Sequence, residues 1–558
     1  MKYNKITSIA VLIIAFLVTG CDFLDCDESD TYNKKDVFAS YKRSKQMVTN
    51  VYSYLPSDFC ELDGAMQDAA TDDAIHVYKT SQVERFNNGT WSANHLVDDV
   101  WAKYYEGIRA ANIYLAEYEN MDFSEWEHSD EYKDVMEAFK KYPYEVRFLR
   151  AFFHFELVKR YQNIPLVKTV LTEKEASSIK ASSSTEVMDF IMQECEEIAP
   201  LLPTNYLSTA EKERGRITRA AALALKARVA LYKASPLYTG GNDDAKLWEA
   251  AAKASYYIIA NQDELGCRLR TFDYLFIEGN NKNPEVILCR PVGETGEFEK
   301  KNYPMGVEGG KTSTCPSENL VSCFEFKDGK EFDWNNPSMV ANPYKNRDPR
   351  LAMTVAYNGM KWPKNKVETY IGGKNGLPIK NATLTGYYLA KYLNKDISFE
   401  SGSKTTKKHH NWVIFRFAEV MLNYAEAMVN AYGDPEFTNA EFALSAREAV
   451  NQVRQRDPVN MPPLPSGMTK DQFMKRLKKE RRVEMAFEGQ RFWDLRRWKE
   501  LDQSTKVYGV NIKKEGNDFI YTKELVEERV FNDRMYWYPI SDQELAKNRT
   551  GLKQNPGW

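Results

Sequence analysis

The sequence lacks the short motifs that mark common catalytic and metal sites. It contains no His-Glu-x-x-His, no Cys-x-x-Cys, no Gly-x-Ser-x-Gly and no Gly-x-x-x-x-Gly-Lys. Histidine is scarce, with only six residues, and only His409 and His410 are adjacent. We therefore assign no catalytic residue, no metal and no cofactor from the sequence.

An excess of charge of one sign is also missing. The chain carries 76 basic and 79 acidic residues, a net charge of −3. Proteins that bind nucleic acid or anionic lipid headgroups as their main partner are usually strongly basic. The charge balance therefore argues against both partners.

Cysteines are too few and too scattered to form a disulfide framework. There are eight, and the one at position 21 is a candidate for modification, which leaves an odd number. Most of the others are predicted to be buried as small hydrophobic residues. Cys315 and Cys323 are the one pair considered for a disulfide.

The N-terminus has the three parts of a secretion signal. Lys2 and Lys5 precede an apolar run, Ile9 to Val18, which ends in Leu17-Val-Thr-Gly-Cys21. Ten apolar residues are too few to span a bilayer, which needs roughly 20. The Leu-x-x-Gly-Cys ending resembles the bacterial lipobox, which implies that residues 1–20 are removed and that Cys21 is acylated. An ordinary signal peptide that happens to end near a cysteine is the alternative.

Residues 21–35 are predicted to form an acidic tether. Five acids follow the cysteine within this segment: Asp22, Asp25, Asp27, Glu28 and Asp30. Such a stretch is expected to stay extended and solvated. It also resembles the acidic export signal of surface lipoproteins in Bacteroidetes-type bacteria.

Apolar residues at helical spacing dominate residues 36–265 and return near the C-terminus. The predicted helices are Tyr41–Leu55, Leu96–Tyr118, Tyr144–Tyr161, Thr185–Leu202, Thr218–Lys233, Ala245–Asn261, Val413–Tyr432, Asn439–Arg456 and Lys470–Trp498. Pairs of helices joined by short turns indicate helical hairpins of the tetratricopeptide type. Within the C-terminal region, 266–558, residues 267–411 are rich in Gly and Pro and are predicted to be loops with a few short strands. We expect binding groups there, since loops on a rigid scaffold often carry them. The predicted fold class is mostly α.

Several blocks of the chain match one protein family in order. They are Tyr105-x-x-Ile-x-x-Ala-Asn112, Glu145–Phe155, Tyr161-x-x-Ile-Pro-Leu-Val167, Ala220–Tyr232, Phe324-x-x-Lys-Asp-Gly-Lys330, Phe415–Ala427, Glu480–Arg497, Tyr538-Pro-Ile540 and Asn555-Pro-Gly557. Together they resemble SusD/RagB-type lipoproteins over nearly the whole mature chain. The Glu480–Arg497 block is the most specific of them.

This resemblance implies a function as well as a fold. SusD-like proteins are outer-membrane lipoproteins that bind oligosaccharides, or in some members peptides, outside the cell. They cover a SusC-like, TonB-dependent β-barrel that imports the ligand, and they have no catalysis of their own. The implied partners are therefore an oligosaccharide, the barrel, and the membrane through the N-terminal lipid.

A sugar site needs flat aromatic rings for the C–H faces and polar side chains for the hydroxyls. One polar segment offers this set, and its candidates are Asp72, Asp73, Arg85, Trp91 and Asn94. Trp91 and Asn94 also resemble the Trp-x-x-Asn arrangement of the starch-binding SusD site. The alternative is that Trp91 packs in the core and Asn94 caps the following helix.

Four aromatic residues of the C-terminal region are further candidate platforms: Tyr303, Trp334, Tyr344 and Trp362. Each is flanked by polar or turn residues, so exposure is expected, although each could equally be structural.

Charged residues of the Glu480–Arg497 block admit two interpretations. Glu484, Glu488, Arg491 and Asp494 are three or four residues apart, the spacing of neighbours on one helix face. Paired carboxylates could serve a glycoside hydrolase, whereas a buried salt-bridge network would set the packing of the helix. We expect the network. A receptor for peptides, or a helical scaffold that binds only proteins, is the other functional alternative.

We predict that Cys21→Ser abolishes lipid attachment. Metabolic labelling with a palmitate analogue and detergent phase partitioning of the cells should show the unchanged chain labelled and in the detergent phase, and the variant unlabelled. Equal behaviour of the two chains would instead support the ordinary signal peptide.

Overall fold

The computed structural model describes residues 38–206 and 213–558. The predicted signal, Cys21 and the tether lie outside the described residues. In chain order the α-helices are α1 Tyr41–Ser53, α2 Glu84–Asn88, α3 Trp101–Glu117, α4 Tyr132–Phe139, α5 Tyr142–Tyr161, α6 Glu173–Ala176, α7 Ser184–Ile198, α8 Arg219–Ala234, α9 Pro236–Thr239, α10 Ala245–Ala260, α11 Glu297–Asn302, α12 Glu318–Val321, α13 Pro337–Val340, α14 Pro349–Thr354, α15 Phe417–Tyr432, α16 Ala446–Gln455, α17 Lys470–Glu484, α18 Arg491–Arg497 and α19 Asp542–Lys547.

The long helices form a sequential array. Helix α1 packs on α3, α3 on α5, α5 on α7, α7 on α8, α8 on α10 and α10 on α15, which also contacts α16 and α17. Contacts between successive helices are typical of stacked helical hairpins. The prediction of a mostly α fold built from such hairpins, with an irregular region of short strands, is confirmed.

Local sequence explains where several of these helices begin. The Ser183 and Thr469 hydroxyls each accept a hydrogen bond from the backbone N–H three residues on, and the side chains of Glu186 and Gln472 each accept one from the backbone N–H of the cap residue. These capping boxes satisfy backbone N–H groups that a helix start leaves unpaired. Seven of the twelve buried residues of helix α8 are Ala, which lets its neighbours approach closely.

Within residues 38–206 and 213–558, eight strands pair into four two-stranded sheets. They are β1 Ala74–His76, β2 Val286–Thr295, β3 Thr314–Pro316, β4 Val355–Ala356, β5 Tyr388–Leu389, β6 Lys408–Arg416, β7 Lys506–Glu515 and β8 Asp518–Glu528. The pairs β1–β3, β2–β6, β4–β5 and β7–β8 are all antiparallel.

The first residues of one predicted helix lie in a strand instead. Val413–Arg416 belong to β6, which pairs with β2, and α15 starts only at Phe417. The prediction of a helix from Val413 was wrong by four residues because the apolar run there is buried on all sides, which suits a buried strand as well as a helix.

The predicted helix Lys470–Trp498 is broken in the middle. Helix α17 ends at Glu484 and α18 starts at Arg491. Between them Phe487 has φ +59° and Gly489 has φ +68°, both in the left-handed region. Two buried side chains satisfy the turn, because Lys391 donates to the Ala486 carbonyl at 2.8 Å and Asp68 accepts from the Phe487 amide at 3.2 Å.

The expected charge pairs along this helix are therefore replaced by long-range ones. Arg416 lies 2.6 Å from both Glu484 and Glu488, and Arg350 lies 2.8 Å from Glu484. Arg456 also pairs with Glu484. The side chains of this buried charge cluster are almost fully excluded from solvent, so each charge depends on its partners. The predicted salt-bridge network exists, but it joins β6, α14, the residue that follows α16, and α17 with the turn after it.

Further ion pairs cross between the two halves of the chain. Arg228 of α8 donates to both carboxylate oxygens of Glu419 on α15, at 2.7 and 2.6 Å. Asp72 lies 2.9 Å from Arg482 and 3.0 Å from Arg491. These contacts hold the N-terminal helices and β1 region against the C-terminal helices.

Cysteine pairing does not contribute to the described fold. Cys315 and Cys323 are both free thiols, and the Cys323 thiol donates to the Asn319 carbonyl at 3.2 Å. The disulfide considered from the sequence is therefore not formed. Separately, none of the described helices is both long and apolar enough to cross a bilayer.

We predict that Glu484→Gln destabilises the fold by about 3–5 kcal/mol, because three buried guanidinium groups would lose a shared negative charge. Urea unfolding would measure the change. The matched control is Glu331→Gln, since Glu331 pairs with Arg476 and Lys479 but is half exposed, and it should cost less than about 1 kcal/mol. Equal, small effects would contradict a structural role for the cluster.

We also predict that Asp68 makes stability fall as pH rises. Burial raises the pKa of Asp68 to about 7, and Asp73 adds to the shift, whereas an unfolded Asp titrates near 3.9. Between these pH values the unfolded chain loses a proton that the folded chain keeps, so folding becomes less favourable. The stability of Asp68→Asn relative to the unchanged protein should therefore increase from about pH 4 to about pH 7 and then level off. Unfolding at several pH values tests this, with exposed Asp130→Asn as control. A pH-independent difference would contradict it.

Candidate functional site

A sizeable cavity lies where the N-terminal helices meet the C-terminal half. Its volume is about 470 Å³. The walls come from α3, α5, α8, β6 and α18, from the turn at Glu488–Gln490, and from loops at 56–67 and 97–100. We call this cavity the cleft. Because its walls come from regions that are widely separated along the chain, the cleft exists only in the folded protein.

Four buried aromatic residues line the cleft and present hydrogen-bond donors there. They are Tyr104, Tyr232, Trp412 and Trp493, each no more than 5% exposed. Among the described residues, neither the two hydroxyls nor the two indole N–H groups have a hydrogen-bond partner. The four polar atoms are not among the fully buried unpaired atoms of the described chain, so they keep contact with the open space of the cavity. These donor-wall residues are therefore suited to a bound molecule with acceptor oxygens.

Paired charges form the floor of the cleft beside this wall. Glu156 lies 2.6 Å from Lys159 and 2.7 Å from Arg160, and Arg160 also pairs with Asp98 at 2.8 Å. Burial alone would raise the pKa of Glu156, but Lys159 and Arg160 lower it to about 2. Burial lowers the pKa of Lys159 to about 8. The floor is thus a fixed ion-pair network.

The mouth of the cleft holds charges that no ion pair compensates. Asp58, Glu61, Asp63 and Asp99 line the mouth, and none has a cationic partner within 4 Å in the described chain. Lys103 is the unpaired cation among the lining residues, and burial lowers its pKa. Burial, together with Asp68, holds the pKa of Asp58 well above its usual range.

The cleft can therefore bind a polyhydroxyl compound by complementary hydrogen bonds. Sugar hydroxyls both donate and accept, so they can donate to the carboxylates of the mouth and accept from the donor wall. The indole and phenol rings supply apolar surface for C–H groups. Among the described residues, no group of three or more His, Cys, Asp or Glu is placed to hold a metal ion.

Trp91 is buried in the core. It is 1% exposed and packs against Phe86, Tyr538 and Trp558, with ring centroids 4.6–4.8 Å apart. Neither face of its ring is open to a ligand. The structure therefore corrects the prediction of Trp91 as a platform, and it agrees with the alternative that Trp91 packs in the core. Asn94 is exposed in a tight turn between Ser92 and His95. It does not cap a helix, because the next helix, α3, starts only at Trp101.

The two predicted aspartates also have structural partners. Asp72 and Asp73 are buried against Arg482, with Arg491 as a second partner of Asp72. Burial would raise the pKa of Asp72, but these guanidinium groups lower it to about 2. Because both carboxylates are buried and held in ion pairs, the structure corrects the prediction that Asp72 and Asp73 bind a ligand. Arg85 is half-buried, with its guanidinium 3.4 Å from the Leu96 carbonyl.

The four aromatic candidates fall into two separate places. Tyr303 and Trp362 are buried and pack edge to face at 5.7 Å, and the Tyr303 hydroxyl donates to the Asn394 carbonyl at 2.7 Å. Because both rings are buried, the structure corrects the prediction that they are platforms for a ligand. Trp334 is half-buried and donates to Glu318 at 3.0 Å. Tyr344 is also half-buried, and it stacks on Tyr357 at 4.4 Å and lies 3.4 Å from the Tyr387 hydroxyl.

None of the nine candidate ligand residues lines the cleft. Arg85, Asn94, Trp334 and Tyr344 keep exposed surface, and ligand contact there stays a prediction. The loop-rich segment 267–411 also contributes no residue to the cleft.

The donor-wall residues were not predicted as a site. Trp493 lies in the Glu480–Arg497 block, where only the charged side chains were considered as a possible site. No local pattern separates a buried aromatic residue that lines a cavity from one that does not. The donor-wall residues can be recognised only in the folded structure, because their polar atoms have no hydrogen-bond partner among its described residues.

Comparisons with known proteins agree on one family. The model described as the SusD family matches residues 285–558, and one described as "Starch-binding associating with outer membrane" matches residues 22–231. SusD-like protein P2 of Formosa agariphila is 23% identical over 500 residues, which cover 86% of this chain and 84% of that protein.

Solved structures extend this similarity to the fold. A SusD-like protein from Bacteroides fragilis superposes with a TM-score of 0.77 at 27% identity, over 94% of this chain and 99% of that one. A SusD-like carbohydrate binding protein from the same species gives 0.74 at 25% identity, over 92% and 100%.

Proposed function

Because this chain belongs to the SusD/RagB family, we propose that it captures oligosaccharides at the cell surface and holds them in the cleft without cleaving them. The donor wall carries this proposal. Tyr104, Tyr232, Trp412 and Trp493 offer partner-free donors and aromatic surface in one cavity. Oligosaccharides satisfy both features, since their rings have apolar faces and their hydroxyls accept hydrogen bonds.

The similarity to known proteins supports a glycan as the ligand. One solved SusD-like neighbour is described as carbohydrate binding, and the N-terminal family model is described as starch-binding. The cavity volume of about 470 Å³ is within the range of small-molecule sites. A few sugar rings would fill it, with the rest of a longer chain outside.

Binding without turnover is supported by the state of the carboxylates on the floor. Glu156 and Glu488 each lie close to two cations, which fix them as structural anions. A glycosidase needs one protonated acid and a second carboxylate at a defined separation across the substrate. Asp58 has the raised pKa of such an acid, so a hydrolase is the second candidate and is tested below.

We further propose that the ligand passes to a SusC-like, TonB-dependent barrel in the outer membrane. The family model for residues 22–231 carries an association with the outer membrane in its description. The lipid on Cys21 and the acidic tether would keep the chain at the outer surface while it opens and closes over the barrel. Domain bounds of 1–20, 21–35, 36–265 and 266–558 stay part of this proposal.

We predict that Tyr104→Phe weakens glycan binding about 2- to 12-fold, the effect of losing one hydrogen bond between neutral groups. A panel of oligosaccharides would first identify a ligand, and calorimetric titration would then compare the variants. The matched control is Tyr257→Phe on α10, since this side chain is 52% exposed and does not line the cleft. The control should bind as the unchanged protein does.

Product analysis of the same mixtures distinguishes binding from hydrolysis. The oligosaccharide should be recovered intact after prolonged incubation. Cleavage that Asp58→Asn abolishes would establish the hydrolase instead. Binding of peptides with no glycan binding would favour the peptide receptor, and unchanged glycan affinity of Tyr104→Phe would place the site elsewhere.

A further inference from the structure

We infer that the cleft selects uncharged oligosaccharides and rejects uronate-rich or sulfated ones, through the unpaired carboxylates of its mouth. This inference rests on the proposed function and names the class of glycan that the same site takes. The overall net charge of −3 does not suggest it. It follows from where the uncompensated charges lie.

Three exposed carboxylates stand at the mouth: Glu61, Asp63 and Asp99. Each has a role in local structure through hydrogen bonds alone. Glu61 accepts from Ser57, Asp63 accepts from the Gln82 amide at 3.0 Å, and Asp99 accepts from the Trp101 amide at 3.3 Å. None has a cation within 4 Å in the described chain, so their charges face the entrance uncompensated.

The cations that line the cleft are mostly committed to other carboxylates. Arg160 pairs with Glu156 and Asp98, Lys159 with Glu156, and Arg228 with Glu419. Among the described residues, Lys103 has no ion pair, and neither has Arg290, which lies just outside the lining and donates to the Ser57 hydroxyl at 3.5 Å. Two free cations against three exposed carboxylates still leave the entrance net negative, and a polyanionic chain would meet repulsion there.

The interior provides the second, independent observation that a ligand belongs here. The donor-wall residues are each more than nine-tenths buried and have donors without partners. Neutral donors of this kind bind neutral oxygens well, and they supply no charge to offset the desolvation of a carboxylate or sulfate. The mouth and the donor wall therefore favour the same ligand. It is a sugar chain whose hydroxyls donate hydrogen bonds to the carboxylates of the mouth and accept hydrogen bonds from the donor wall.

The test is an array of oligosaccharides printed in matched pairs, in which each uronate-containing or sulfated chain stands beside its carboxyl-reduced or desulfated counterpart. Neutral homo-oligosaccharides are printed with them. The full mature chain, without its lipid, is the probe. We expect binding to uncharged members, with the charged member of each pair bound about tenfold more weakly at low salt.

A triple variant, Glu61→Gln with Asp63→Asn and Asp99→Asn, tests the cause. These changes keep hydrogen-bonding atoms, and Asn tolerates the φ of +49° at position 63. Relative to the neutral member of the same pair, the variant should bind each charged member about tenfold better than the unchanged protein does, and this gain should shrink as salt is added. The matched control neutralises Glu125, Asp130 and Glu131, which are exposed and lie outside the cleft, and should leave every pair unchanged.

The outcomes separate the two proposals. Equal or tighter binding of the charged members would overturn the selectivity while leaving glycan capture intact. No change in the triple variant, confirmed as folded by its melting curve, would overturn the role of the mouth. Absence of binding to any glycan on the array would overturn the proposed function and this inference with it.

Discussion

Buried charge pairing holds the C-terminal half together and places the walls of the cleft. Arg416 ends β6, and it contacts Glu484 at the end of α17 and Glu488 within the break between α17 and α18. Removing any one partner would leave buried charge uncompensated, which is far more costly than losing a surface pair. The cluster therefore fixes the strand and the turn relative to each other. Arg228 and Glu419 extend the same principle to the N-terminal helices.

These ion pairs determine the shape of the cleft. Trp412 precedes Arg416 on β6, Gln490 follows Glu488, and Trp493 lies in the helix that begins after the turn. Each lies near a residue of the buried charge cluster along the chain, and each lines the cleft. Two sets of carboxylates therefore have different roles. Those inside hold the scaffold as paired anions, and those at the mouth remain unpaired and set the charge that a ligand meets.

The sequence predicted the helical array well because its signals are local. Apolar spacing, the Ala-rich face of α8 and the caps at Ser183 and Thr469 all act within a few residues of the chain. The break at Phe487 was missed because buried partners from elsewhere, Asp68 and Lys391, satisfy its backbone. Those partners lie roughly 420 and 95 residues away.

The dependence on distant segments also explains why the predicted ligand residues do not line the cleft. Trp91 was chosen for its polar neighbours in sequence, yet its ring neighbours in space are Phe86, Tyr538 and Trp558. Burial depends on which distant segments cover a residue, and this cannot be inferred from the flanking residues. The unpartnered donors of the cleft carry no sequence signature at all. The family resemblance supplied the class of function, and the three-dimensional arrangement was needed to choose a location for it.

The central claim is that the ligand binds in the cleft. A crystal structure of the protein with a bound oligosaccharide tests it most directly. The account predicts sugar rings between the mouth and the donor wall, with hydroxyl oxygens within hydrogen-bonding distance of the Tyr104 hydroxyl and the Trp412 indole. Sugar bound instead beside Asn94, or over Trp334 and Tyr344, with the cleft unoccupied, would contradict it.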